Sequence, residues 1–188
     1  PLDRNWLRVV VVPGLVVVVP GAPGATLAAY EVDSGKLAWK VGRDPAGYSS
    51  PALLDVGGRR QLVAVTGASA IGLDPSRGTV LWRFPYVTDY ECNIATPLAH
   101  QRRVFISSGE NHGSVLLELK KTGTGFQPVP VWSSQGRTSV MRNEWQTSIL
   151  LKGYLYGMDN VGGAGPITHL NCVDIATGKR AWQQPRFG

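Results

Sequence analysis

Hydrophobic residues in this chain come in short runs broken by glycine and proline. Leu7–Val12, Val16–Val19, Gln61–Thr66, Val104–Ser107 and Tyr154–Met158 are each four to six residues long and mostly apolar. Runs of this length, with many β-branched residues, predict β-strands. No stretch carries hydrophobic residues at helical spacing, so no amphipathic helix is expected. The 23 glycines and 13 prolines supply the turns. The run Val9–Val19 contains Pro13 and Gly14. It is too short and too broken to cross a membrane and reads as a pair of strands.

The runs belong to a repeat. Trp39, Trp82, Trp132 and Trp182 are 43, 50 and 50 residues apart, a period typical of propellers and other repeat arrays. Three of these tryptophans end the same motif, in Ala29–Trp39, Gly72–Trp82 and Cys172–Trp182. An acid (Glu31, Asp74, Asp174) stands eight residues before the tryptophan and a glycine (Gly35, Gly78, Gly178) four before it. The acid can accept hydrogen bonds from the N–H groups of a tight turn. The glycine supplies the positive φ that such a turn needs. The tryptophan then opens the returning strand and offers its ring to the neighbouring repeat. Trp82 and Trp182 are therefore expected to be buried. Around Trp132 the tryptophan is kept without the turn, and Thr122–Gly125 is expected to form a lengthened hairpin loop. Ser49–Leu54 matches Ala95–Ala99 and, more loosely, Thr147–Leu151, each followed by a turn and an apolar strand. Each unit thus reads strand A, strand B, strand C, glycine turn, strand D. The units lie near 5–40, 48–83, 93–133 and 146–183, and together make one all-β domain of four-stranded antiparallel blades.

The run from Cys172 to Trp182, Cys-Val-Asp-Ile-Ala-Thr-Gly-Lys-Arg-Ala-Trp, resembles the tryptophan-docking motif of the pyrroloquinoline quinone (PQQ) type propeller repeat, with Cys172 where alanine is usual. The resemblance extends over essentially the whole chain. It implies a β-propeller of which four blades are present, as part of a ring of seven or eight. The chain begins at Pro1 and stops at Gly188, and both ends are expected to be cuts in a longer protein. An open arc of four blades would expose two sheet faces. The resembled superfamily includes quinoprotein alcohol and sugar dehydrogenases, the non-catalytic outer-membrane assembly lipoprotein, and sensor domains of bacterial kinases. Two functions follow as expectations. One is a scaffold that binds a protein or small ligand without a cofactor, in envelope assembly or sensing. The other is a dehydrogenase that uses PQQ and Ca²⁺. The resemblance also implies a periplasmic or exported protein, although this chain carries no targeting segment.

In this strand order the B–C turns and D–A connectors share one face, where the unusual polar residues collect. The binding candidates are Tyr48 in the first connector, Asp89, Tyr90, Glu91 and Asn93 in the second, His112 in a B–C turn, and Arg142, Glu144 and Trp145 in the third. Loops on a rigid scaffold commonly carry binding residues. Asp89, Glu91, Asn93 and Glu144 offer the oxygen donors that Ca²⁺ takes. Trp145 could stack on a planar quinone and Arg142 could pair with its carboxylates. The same residues also suit solvated turns. Trp145 has a near-counterpart in Trp6, so an aromatic there could equally line a central channel.

Composition narrows the choices. Of 188 residues, 43% are hydrophobic and 17% charged, which indicates a folded protein and not a disordered one. The net charge of +6 comes from scattered Lys and Arg, with Arg59-Arg60, Arg102-Arg103 and Lys120-Lys121 at expected hairpin tips. No basic stripe with interleaved aromatics suggests nucleic-acid binding. Cys172 is expected to be a buried free thiol, and no pairing with Cys92 is expected. The adjacent-cysteine disulfide of many resembled dehydrogenases is absent, as is a haem-attachment Cys-x-x-Cys-His. His100, His112 and His169 form no cluster in the repeat pattern. Gly162–Pro166 lacks the Lys-Ser/Thr of a phosphate loop and reads as a flexible B–C loop.

Overall fold

The computed structural model describes residues 9–161 and 167–187. Trp6, the first residues of the Leu7–Val12 run and the Gly162–Pro166 loop lie outside the described residues.

Among the described residues, sixteen strands form four antiparallel sheets, each in simple sequence order. Blade 1 comprises β1 (Val9–Val12), β2 (Leu15–Val18), β3 (Leu27–Glu31) and β4 (Leu37–Val41). Blade 2 comprises β5 (Ala52–Val56), β6 (Arg59–Val65), β7 (Ser69–Leu73) and β8 (Val80–Pro85). Blade 3 comprises β9 (Leu98–His100), β10 (Arg103–Ser108), β11 (Gly113–Thr122) and β12 (Gly125–Gln135). Blade 4 comprises β13 (Ile149–Leu151), β14 (Tyr154–Asn160), β15 (Thr168–Asp174) and β16 (Arg180–Gln184). No α-helix occurs among the described residues; the second connector contains one short 3₁₀ turn, Asp89–Glu91.

The core is the space between blades. Because strand side chains alternate between faces, each blade has one face that carries its tryptophan and one that does not. The tryptophan face of blade 1 (Val10, Val12, Val17, Ala29, Trp39) packs on the opposite face of blade 2 (Leu53, Leu62, Ala64, Ile71, Leu73). Val63, Val65, Ala70 and Trp82 of blade 2 pack in turn on Val104, Ile106, Val115 and Leu117 of blade 3. Phe105, Leu116 and Trp132 of blade 3 pack on Leu150, Leu155 and Val173 of blade 4.

The glycine turns explain why the motif recurs. In all three copies the glycine N–H donates to the carbonyl of the acid (Gly35 to Glu31, Gly78 to Asp74, Gly178 to Asp174) at 2.8–2.9 Å. The glycines have φ of +66°, +66° and +69°, a region costly for any residue with a Cβ. Asp74 Oδ1 accepts from the N–H groups of Ser76 and Arg77, and Asp174 Oδ1 from those of Ala176 and Thr177. The next strand then gains one residue: a bulge precedes each tryptophan pair, at Ala29/Tyr30, Gly72/Leu73, Leu116/Leu117 and Cys172/Val173. The bulge re-aims the tryptophan across the interface. Trp39 lies against Gly78 of the following blade, where a β-carbon would sit 2.5 Å from its ring, and Trp132 lies likewise against Gly178 at 2.6 Å. Trp132 Nε1 also donates to Ile175 O at 2.7 Å, and Trp82 Nε1 donates to Gln61 Oε1 at 2.8 Å.

Two sequence expectations are corrected. Trp182 is 46% exposed, against 3% for Trp82, because a docking tryptophan is covered by the following blade and no blade packs on Trp182 among the described residues. In blade 3 the hairpin loop is not lengthened. Thr122 pairs with Gly125 across a two-residue turn, and the extra residues extend β11 and β12. Both cysteines are free, with Cys172 buried.

Candidate functional site

The connector face is held by buried polar side chains that reach between blades. In the first connector, Asp44 accepts from Thr66 Oγ1 (2.7 Å), Ser69 Oγ (2.5 Å) and Arg83 (2.6 Å). Burial alone would raise the Asp44 pKa, but the hydrogen bonds from Ser69, Thr66 and Arg83, with the Arg83 charge, hold it below the ordinary carboxylate range. In the second connector, Asn93 Nδ2 donates to Thr66 O at 2.7 Å and the Asn93 backbone carbonyl accepts from Tyr48 N at 2.8 Å. Tyr86 donates to Gly113 O at 2.6 Å; burial raises its pKa. In the third connector, Arg142 and Asp159 make a two-pronged ion pair with contacts of 2.7 and 2.8 Å, both side chains buried. Arg142 Nη1 adds a bond to Arg137 O. Asn143 receives Ser148 Oγ at 2.7 Å and donates to Met158 O at 2.9 Å. These bonds fix three long connectors against strands and strand ends 15–39 residues away.

The candidates divide into two groups. Tyr48 and Glu91 meet in a small cleft of about 160 Å³ with Pro20, Gly21, Pro45, Ala46 and Gly47. Asp89 and Tyr90 precede Glu91 in the 3₁₀ turn. Tyr90 and Glu91 hold φ of +61° and +57°, a strained region for residues with side chains, and Tyr90 is 79% exposed. The second group surrounds Glu144. This carboxylate is 1% exposed and neither oxygen completes a hydrogen bond of normal geometry, although Glu110 and Asn160 come close enough to influence its ionisation. Burial, then the nearby Glu110 charge, push its pKa up, with Asn160 opposing. It packs on Gly109, where a β-carbon would lie 2.6 Å from Glu144 Cβ and Cγ. Next to it Trp145 is 74% exposed. Between the groups His112 stands edge-on to Tyr86, ring centroids 4.6 Å apart. Its Nε2 is buried without a partner. Burial lowers the His112 pKa, and the Asp89 charge opposes the shift.

Asn93 is held through Nδ2, which donates to Thr66 O, while its Oδ1 is buried without a partner; Asp89 and Glu91 sit in the 3₁₀ turn, and Glu144 packs on Gly109. No three His, Cys, Asp or Glu side chains among the described residues are placed to hold a metal ion. Arg142, expected to pair with a quinone carboxylate, is already neutralised by Asp159 in a buried pair. Asp44 and Tyr86 were not candidates in the sequence. Their partners lie 22–39 residues away, and nothing local marks them.

A larger cavity of about 440 Å³ opens on the opposite face, between Gly57, Arg102, Lys120, Lys121 and Phe126. The basic residues there are those expected at hairpin tips.

Among solved structures, a europium-containing methanol dehydrogenase is similar with a TM-score of 0.60 and 13% identity, over 96% of this chain and 46% of that one. A quinohemoprotein alcohol dehydrogenase from Comamonas testosteroni is similar with a TM-score of 0.57 and 14% identity, over 94% and 34%. BamB from Moraxella catarrhalis aligns at 18% identity and a TM-score of 0.49, over 91% and 58%. The chain therefore spans between a third and three fifths of these proteins' lengths, and at these identities the likeness establishes the fold alone. None of the curated proteins matches the chain. No helix among the described residues is long and apolar enough to cross a membrane. A family profile matches residues 5–184, so that the four blades, their bulged tryptophan strands and their glycine turns place the chain in the PQQ_2 family, described as outer membrane protein assembly factor BamB.

Proposed function

We propose that the chain is part of a non-catalytic propeller scaffold that binds a protein partner or small ligand on its connector face, in the assembly or sensing machinery of the cell envelope, at a periplasmic or exported location. One observation carries the reading. Tyr90 and Trp145 are 79% and 74% exposed on connectors whose bases are pinned by buried hydrogen bonds. Rigidly held aromatics cost little entropy to immobilise and are favoured anchors of interfaces. Much of the polar chemistry beneath them holds connectors, and Arg142, the cation that the dehydrogenase alternative would use, is already paired with Asp159.

The test uses the gene in its source organism. Loss of the gene should lower the amount of folded outer-membrane protein, and Trp145→Ala with Tyr90→Ala should reproduce the loss while the purified protein keeps its melting temperature. Wild-type levels in the double variant would remove these residues from the function. A titration with PQQ and Ca²⁺, followed by tryptophan fluorescence, addresses the alternative. Saturable, Ca²⁺-dependent quenching would replace the scaffold with the dehydrogenase.

A further inference from the structure

The junction between blades 2 and 3 is built differently from its two neighbours. Trp39 and Trp132 each close on the turn glycine of the following blade. Blade 3 has no such turn for Trp82 to meet. Its β11 and β12 run on instead, pairing Lys120 with Gln127, Lys121 with Phe126 and Thr122 with Gly125. The tip of this longer hairpin leans on blade 2. A β-carbon at Gly125 would lie 2.6 Å from Leu81 O, and Arg59 Nη1 donates to Thr124 O at 3.4 Å. The cavity of about 440 Å³ lies between this hairpin and the β5–β6 turn.

The cavity has an apolar floor and a basic rim. Val56 and Leu119 are buried and belong, with the partly buried Phe126, to the core between the two blades. Alternation along β11 puts Lys121 on the same face as Leu119, opposite Phe126 in register. Arg102 lays its stem against Gly57, where a β-carbon would lie 2.7 Å from Arg102 Cγ. Arg102, Lys120 and Lys121 are exposed, and among the described residues no ion pair engages them. Arg59, by contrast, is occupied: it lies 3.6 Å from Asp74 and over the Phe126 ring. Glu118, the acid among the lining residues, stands opposite Arg103 in the ladder.

We propose that this cleft binds an acidic peptide segment of a partner protein. One apolar side chain of the segment would sit on Val56, Leu119 and Phe126, and flanking Asp or Glu carboxylates would meet Arg102, Lys120 and Lys121. An apolar anchor in a pocket with a complementary charged rim is the usual plan of a specific contact. The volume falls in the range of ligand sites. A bare phosphate would use the rim and leave the floor empty. A bilayer is disfavoured because the tips around the cleft expose Arg60, Gln101, Thr122 and Thr124, none of which would enter it. The cleft faces away from the connectors, so the inference goes beyond the connector-face reading and is tested separately from it.

The experiment is fluorescence anisotropy on the full gene product with labelled short peptides, each with a central Leu, Phe or Trp between Asp and Glu residues. At least one should bind saturably, and more weakly as salt screens the charges. The same peptides with Lys in place of the acids should not bind. Arg102→Glu and Lys121→Glu change exposed residues, so neither should unfold the protein, and each should weaken binding about tenfold or more. Arg43→Glu makes the same charge change at an exposed position on the connector face and should leave the affinity unchanged. In the unaltered protein, the amide chemical shifts moved by the peptide should centre on Gly57, Leu119 and Phe126, a readout that needs no variant. Absence of saturable binding by every acidic peptide, an equal loss from Arg43→Glu, binding that survives replacement of the acids, or shifts centred elsewhere would each overturn the proposal. Binding to phosphatidylglycerol vesicles without binding to any peptide would overturn it too and make the ligand a membrane.

Discussion

Gly78→Ala and Gly35→Ala make the same chemical change at the same backbone angle, yet their costs should differ. Both glycines have φ of +66°, and both N–H groups donate to the carbonyl of the turn's acid at 2.9 Å. Placing a β-carbon in this region costs about 1–2 kcal/mol at either site. At Gly35 that is the whole expense, since nothing is within 4 Å. At Gly78 the new atom would lie 2.5 Å from Trp39 Cε3 and 2.6 Å from Trp39 Cδ2. Trp39 is 9% exposed and belongs to the core between blades 1 and 2, so its rigid ring must shift as a unit. Overpacking of this sort adds about 1–3 kcal/mol. Gly78→Ala should therefore cost about 2–5 kcal/mol in all, with Gly178→Ala alongside it because Trp132 lies 2.6 Å away. For a domain of this size each kcal/mol lowers Tm by roughly 2–4 °C. Thermal and urea unfolding of both variants measures the difference directly. Equal losses at Gly35 and Gly78 would refute the idea that the glycine exists to receive the tryptophan.

The remaining expectations use the same assays. Trp82→Ala should cost about 3–5 kcal/mol and strand Gln61 Oε1, whereas Trp182→Ala in the single chain should cost far less, since its ring is 46% exposed; comparable losses would contradict the open end of the arc. Asp159→Ala should cost about 3–5 kcal/mol because it leaves the Arg142 charge buried and unpaired, and Arg142→Lys should recover little, since an ammonium cannot span both carboxylate oxygens. Glu144 has a raised pKa in the folded chain, so its contribution is fully present below the ordinary glutamate value and is lost as pH rises through the raised one. Glu144→Gln should accordingly stabilise the protein at neutral pH and flatten that part of the pH–stability curve. Asp44 runs the other way: its lowered pKa gives stability above the ordinary aspartate value that is lost as pH falls through the lowered one, and Asp44→Asn should remove this acid limb.

The repeat was legible because its signals are local. A turn needs an acid, a positive-φ glycine and a returning tryptophan within nine residues, and Asp174, Gly178 and Trp182 show all three. Blade 3 was legible through Trp132, the Ala95–Ala99 match and the Val104–Ser107 run, but not through its Gly123-Thr124 turn, which lacks the acid. There the bulge at Leu116/Leu117, invisible in the residue types, does the same re-aiming as in the other blades. The candidate site was less legible. Arg142 looked like a ligand cation because its partner Asp159 sits on a different element, 17 residues away. The bond from the Asn93 side-chain amide to Thr66 O was not legible because its acceptor is a backbone atom and carries no sequence signature, and the Oδ1 of the same side chain is left buried without a partner.

What the sequence by itself determined was the unit: four short strands, their turns, and which side chains share a face, all consequences of alternation along a strand and of φ preferences at glycine. What only the tertiary structure decided was which polar groups are already satisfied and which faces remain open. Those depend on contacts between residues distant in the chain. The same motif buries Trp82 and leaves Trp182 exposed because burial is set by the blade that follows and not by the ten residues that precede it.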